Sequence, residues 1–117
     1  MSYVESIALK SHRKRSGLIQ EDVALLIGAQ SASQVSRHES NEREPDLRTA
    51  IAYCIIFDAP IRQLLPKLFR EIASEVHGRA ARLSGKLASA DDGLHQSYRI
   101  DVLRQVTARI EMFDFTA

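Results

Sequence analysis

Ser33, Gln34 and Arg37 lie within the short segment SASQVSRHE, Ser31–Glu39, in which Val35 is the one large aliphatic residue. If the segment is helical, residues three and four apart are surface neighbours, so Ser33 and Gln34 both sit beside Arg37. A glutamine amide can pair with both hydrogen-bonding groups of an adenine edge and an arginine guanidinium with those of a guanine edge. Each good pair is worth about 1–3 kcal/mol of discrimination. Small serines let the helix backbone approach closely. The chemistry implied is readout of base edges in the major groove of DNA. The competing reading is an ordinary solvated helix face, which composition alone favours.

Other chemistry finds little support. His12, His38, His77 and His95 are scattered, and no HExxH or Cys/His spacing accompanies them, so no metal and no cofactor is expected. No glycine elbow presents a serine nucleophile and no glycine-rich loop cradles phosphate, so the chain is not read as an enzyme. Cys54 is the single cysteine, set in the apolar run AIAYCIIF, and reads as core. The formal net charge is +1, and residues 1–65 hold eight Lys/Arg against eight Asp/Glu. Affinity for a polyanion must therefore come from local arrangement, such as the cluster Lys10, Arg13, Lys14 and Arg15.

A chain of 117 residues with 44% hydrophobic and 26% charged residues suits one domain, or a small domain with a helical extension. Helical periodicity dominates and hairpin signals are absent, which predicts an all-α fold. The first helix runs from about Tyr3 to Arg15, with Val4, Ile7, Ala8 and Leu9 inward, and stops near Gly17. The second spans Gln20 to Ile27, with Val23, Ala24 and Ile27 on one face and Gly28 as its stop. The Ser31–Glu39 segment is the third. Asp46 caps a fourth, Leu47 to Phe57, and a short fifth follows Pro60. A break is expected at Pro66. Beyond it, Phe69, Ile72, Val76, Ala80, Leu83 and Leu87 form one apolar stripe. After the turn SADDG, a last helix carries Tyr98, Val102, Leu103, Val106, Ile110 and Phe113, completing a helical hairpin. Gly78 and Gly85 weaken the first arm of that hairpin or permit close helix contact.

From Leu9 to Leu65 the ordered parts Gly17-Leu18 before Gln20-Glu21, VALLIG, VSRHE and REPDL resemble the lambda-repressor-like, Cro-type (XRE) helix-turn-helix family over about half the chain. The resemblance implies a five-helix domain whose second and third helices form the DNA-reading pair. It assigns Gln20 to phosphate at the start of helix two and Ser31 to the backbone. Ser33, Gln34 and Arg37 take groove-facing positions, and Asn41 and Arg43 lie in a backbone-contacting loop. Arg13 and Glu39 match an internal ion pair. The chain departs from the family in three places. Ile19 replaces the usual Ser/Thr cap, the turn before Val35 is one residue longer, and His38 replaces a large apolar residue.

The expectation is a helix-turn-helix DNA-binding domain at residues 1–65 and a C-terminal hairpin at 66–117 that serves dimerisation. Together they would make a cytoplasmic homodimeric transcriptional repressor bound to double-stranded DNA at a partly palindromic operator. The alternative is a protein-interaction module, an antitoxin or adaptor, supported by the acids Glu39, Glu42, Glu44 and Asp46. No apolar run is long enough for a membrane span, and the N-terminus lacks a signal-peptide layout.

Overall fold

The structure, a computed structural model, describes residues 3–89 and 94–113. Seven helices follow one another: α1 Tyr3–Ser16, α2 Gln20–Ile27, α3 Ala32–Glu39, α4 Leu47–Phe57, α5 Ile61–Leu64, α6 Pro66–Ser89 and α7 Leu94–Glu111. There is no strand among the described residues, and the fold is all-α. The chain divides into two compact units, Met1–Phe69 and Arg70–Ala117. The side chain of Val4 and most of the SADDG turn lie outside the described residues.

Local chemistry sets the helix ends of the first unit. Ile19 offers no side-chain cap, but the Asp22 carboxylate accepts from the Ile19 N–H at 3.0 Å, half of a capping box. Gly28 ends α2 at φ +75°, a left-handed conformation that costs glycine nothing, and its N–H donates to the Leu25 carbonyl. The Asp46 carboxylate accepts from the Thr49 N–H at 2.8 Å and starts α4. Asp58 closes α4 at φ +48°. Pro66 takes the first position of α6, where its missing N–H has no helical partner to lose, so the break falls at Leu65.

The core of the first unit is Leu9, Val23, Ala24, Val35, Tyr53, Leu64 and Leu65, with Tyr53, Leu64, Val23 and Val35 fully enclosed. Burying such a side chain stabilises the fold by about 1.5–3 kcal/mol. The inward face of α4 is Ala50, Tyr53, Cys54 and Phe57, and Cys54 is only partly buried there. Leu47, Ile51 and Ile55, spaced four apart, form an outward stripe instead, with Leu47 and Ile55 each 75% exposed. Ile7 and Ala8 are half-buried beside the buried Leu9.

In the second unit, His77 Nε2 comes within 3.6 Å of Glu111 Oε1, which sets the end of α7 beside the middle of α6 in an antiparallel hairpin. The buried positions of α6 are Ala73, Ala80 and Leu87, seven residues apart. Of the stripe expected from Phe69, Ile72, Val76, Ala80, Leu83 and Leu87, Ala80 and Leu87 are buried and Phe69 half-buried, whereas Ile72, Val76 and Leu83 are exposed, as are Tyr98 and Val102 on α7. A Cβ at Gly85 would meet nothing within 4 Å, and one at Gly78 only the Arg82 guanidinium, so neither glycine serves a close helix contact among the described residues.

Candidate nucleic-acid interface

Helix α3 is split lengthwise. Val35, His38 and Glu39 are buried, while Ser33, Ser36, Arg37 and Ser40 are exposed and Gln34 is half-buried between the two faces. Ser33, Ser36, Arg37 and Ser40 are spaced by three and four, so they form one polar ridge. Ser36 and Ser40 were not singled out from sequence, although their spacing from Ser33 carried the signal. Ser31 occupies the N-cap position in an extended conformation, and its hydroxyl lies 2.7 Å from that of Ser33. The two hydroxyls orient one another at the start of the ridge.

The inward side is held by two polar clusters. Arg13 Nε donates to Glu39 Oε2 at 2.6 Å and Arg13 Nη2 to Oε1 at 3.2 Å, a bidentate pair joining α1 to the end of α3. Arg13 Nη1 also reaches the Leu18 carbonyl. Both side chains are nearly withdrawn from water, so the pair works as a fixed joint rather than a surface contact. Gln20 Nε2 donates to Glu39 Oε1 at 3.0 Å, which draws the first residue of α2 into the same cluster. An amide nitrogen carries two hydrogens, so one N–H of Gln20 is held by Glu39 and the other is left to point elsewhere.

The second cluster uses His38, whose Nδ1 lies 2.7 Å from the Tyr53 hydroxyl with the rings edge to face at 5.7 Å between centroids. Tyr53 in turn stacks on Phe57. Burial, and then the Arg43 guanidinium, hold the His38 pKa below its ordinary value, while the Asp46 carboxylate pulls it back in part. Burial, assisted by Glu39, pushes the Tyr53 phenol well above its usual range. Tyr53 is thus an uncharged hydroxyl, and His38 is a packing residue on the inner side of α3.

The loop after α3 folds back on the helix that precedes it. Asn41 adopts φ +64°, a left-handed conformation that asparagine tolerates better than most residues. The reversal lets the backbone N–H groups of Glu42 and Arg43 both donate to the Arg37 carbonyl, at 3.0 and 3.3 Å. Asn41 and Arg43 are thereby fixed to the same turn as Arg37. Glu42, Glu44 and Asp46 are exposed in this loop as well, so its charge is mixed. The structure brings Ser31, Ser33, Gln34 and Arg37 together along α3, ties Asn41 and Arg43 to its end, and sets Gln20 against Glu39.

A family model described as helix-turn-helix matches residues 9–64. This segment is a helix-turn-helix domain of the lambda-repressor-like kind. The match takes in most of α1, all of α2 to α5 and the loop carrying Asn41 and Arg43. The helix-turn-helix domain is a DNA-binding regulatory fold, and within it α2 packs against α3. No curated protein and no solved structure matches the chain. Among the described residues, no helix is long and apolar enough to cross a membrane.

Proposed function

We propose that the protein is a sequence-specific transcriptional regulator, a homodimeric repressor that lays α3 in the major groove of a partly palindromic operator. The observation that carries this reading is the split of α3: Val35, His38 and Glu39 lock its inner side while Ser33, Ser36, Arg37 and Ser40 stand clear on the outer side. Arg37 and Gln34 read base edges. The second N–H of Gln20 and the side chains of Asn41 and Arg43 hold phosphates and fix the register without reading sequence. Ser31 lies at the backbone end of the same helix.

Dimerisation is assigned to the second unit. Two antiparallel helices alone have too little interior to be stable, and the hairpin leaves Ile72, Val76, Leu83, Tyr98 and Val102 in water. A second hairpin would cover them. Two-fold symmetry then sets two copies of α3 about one DNA turn apart, roughly 34 Å, and occlusion of the promoter gives repression. Selection of bound duplexes from a random oligonucleotide pool tests the proposal. It is expected to return a two-fold-symmetric consensus with half-sites one turn apart, and enrichment of no sequence would defeat it.

A second reading, a protein-binding adaptor or antitoxin, draws on the exposed Leu47, Ile51 and Ile55 stripe beside the acids Glu44 and Asp46. Nuclease-treated pull-down separates the two: a stoichiometric protein partner that survives nuclease favours the adaptor.

A further inference from the structure

The four cations Lys10, Arg13, Lys14 and Arg15 near the end of α1 are sorted by the structure into three different surroundings. Arg13 is committed to Glu39 and the Leu18 carbonyl. At about 3.6 residues per turn, Lys10 and Lys14 stand about 60° and 100° round the helix from Arg13 on one side, and Leu9 about 40° on the other. Leu9 is buried and the two lysines are exposed, so Arg13 marks the edge of the core and the lysines lie on its solvent side. Neither lysine forms an ion pair among the described residues. Arg15 lies about 160° from Arg13, across the helix, where its Nε donates to the Ser11 carbonyl at 3.4 Å. Of the cluster that the sequence offers to a polyanion, Lys10 and Lys14 alone are both unpaired and on the Arg13 side of α1.

That side adjoins the start of α2. Gly17, at φ +82°, turns the chain after α1, and its N–H donates to the Lys14 carbonyl at 3.1 Å. The bonds from Arg13 and Gln20 to Glu39 fix the first residue of α2 beside the same stretch of α1. The first turn of α2 is short of positive charge: Gln20 is neutral, and Glu21 and Asp22 follow it as exposed carboxylates. Asp22 is turned onto the Ile19 N–H, which leaves Glu21 facing water. A phosphate held by Gln20 therefore meets acids on α2, and the cations that offset them must come from α1. We propose that Lys10 and Lys14 form a second phosphate-holding row, which takes the DNA phosphates next to the one at Gln20 when α3 lies in the groove. The inference rests on the DNA-reading role proposed for α3. Four residues span about 6 Å of helix, so two ammonium groups on flexible stems can reach two separate phosphates. The row supplies locally the charge that residues 1–65 lack in bulk, and it holds DNA without reading sequence.

The test is the salt dependence of binding, measured with the full-length chain and a duplex selected from the random pool. Each phosphate neutralised by a lysine steepens the fall of log affinity with log salt by about 0.9. The double variant Lys10→Gln/Lys14→Gln is therefore expected to have a slope shallower by about 1.8, and between 50 and 200 mM salt the native chain loses about tenfold more affinity than the variant. At any one salt concentration the preference for the selected duplex over unrelated DNA stays the same. Arg15→Gln removes an equal charge from the far side of α1 and is expected to leave the slope unchanged. Should the double variant disturb the end of α1, Lys10→Gln alone is expected to lower the slope by about 0.9. Operator binding by the native chain with an unchanged slope in the lysine variants removes the row and leaves the DNA reading standing. An equal drop in Arg15→Gln also removes it, since net charge rather than position would then set the slope. Failure of the native chain to bind any duplex brings down the DNA reading and the row together.

Discussion

The two units of this chain use the same material, amphipathic helices, to opposite ends. The first surrounds Tyr53, Leu64, Val23 and Val35 completely and closes its polar interior with Arg13–Glu39–Gln20 and His38–Tyr53. Among the described residues of the second, Ala73, Ala80 and Leu87 on α6 are buried and Leu103, Val106 and Ile110 on α7 half-buried, while Ile72, Val76, Leu83, Tyr98 and Val102 remain exposed. One unit contains what it needs to hold a single shape, whereas the other has an apolar surface left over. In the proposed homodimer a rigid reader and a self-associating hairpin would be complementary parts, because groove recognition needs fixed geometry and half-site spacing needs a partner.

Breaking the interior of the first unit gives the largest expected effect. Glu39→Ala strands the Arg13 guanidinium in a site nearly closed to water and releases Gln20. Removing one member of a buried pair costs about 3–5 kcal/mol, a large share of the 5–15 kcal/mol that typically separates folded from unfolded states. Urea denaturation followed by far-UV circular dichroism is expected to show that loss; a shift below about 1 kcal/mol would place the pair among surface contacts of little worth. The matching disruption in the second unit is Leu83→Asp. It leaves the first unit's denaturation midpoint unchanged and weakens self-association by about tenfold to a hundredfold, the value of one buried leucine. Sedimentation equilibrium measures it. A fall in the first unit's midpoint, with self-association intact, would reverse the roles given to the two units.

A sharper version asks whether the outer side of α3 is as specific as its inner side is fixed. Arg37→Ala is expected to cost about 1–3 kcal/mol on the selected operator and little on unrelated DNA. Gln20→Ala should weaken both alike. Binding titrations against the two duplexes compare them, and equal losses of specificity would dissolve the division between reading and holding. Weaker still is Gly85→Ala in α6. With open space around the glycine, alanine is expected to stabilise the hairpin by about 0.5–1 kcal/mol, read from its thermal transition. A loss of self-association in that variant would mean instead that the partner helix packs there.

How far the sequence disclosed all this follows from the range of the interaction involved. Helix ends were legible because their causes are local: Gly28 must stop α2, Asp46 caps α4 three residues on, and Pro66 fits only the first turn of α6. Which side of α6 is buried was legible only in part. The expected stripe contains the buried Ala80 and Leu87 but not Ala73, and its members Ile72, Val76 and Leu83 lie exposed at the edge of the buried face; periodicity cannot fix the centre of an apolar stripe when the neighbour is unknown. On α4, Ile51 and Ile55 belong to an apolar run, yet Ala50, Tyr53, Cys54 and Phe57 face the core. In the candidate site, the Ser33–Arg37 ridge was readable from spacing within one helix. The Gln20–Glu39 and His38–Tyr53 bonds were not, since they join residues 19 and 15 positions apart. The left-handed Asn41, which pins the loop to Arg37, had no glycine to announce it.

The smallest effect expected is a pH dependence confined to the inner side of α3. An unfolded histidine takes up a proton near pH 6.5, whereas burial and Arg43 hold the folded His38 pKa below that value. Between those two values the unfolded chain binds more protons than the folded one, so stability falls as pH drops from about 6.5 and levels off once the folded imidazole is charged too. Above about pH 7 His38 contributes no slope. The loss stays small because Nδ1 can meet the Tyr53 hydroxyl either as acceptor or, once protonated, as donor. His12 is shifted in the same direction, so the measurement has to separate the two. Urea midpoints at pH 7.5 and 5.5 are to be compared among the native chain, His38→Gln and His12→Gln. Each substitution is expected to remove part of the slope, and only His38→Gln should also change operator affinity, because His38 alone of the two lies beneath the reading face. An unchanged slope in His38→Gln would mean that the proton is accommodated on α3 without cost, and that the inner side of the helix is less rigidly sealed than the buried core of the first unit implies.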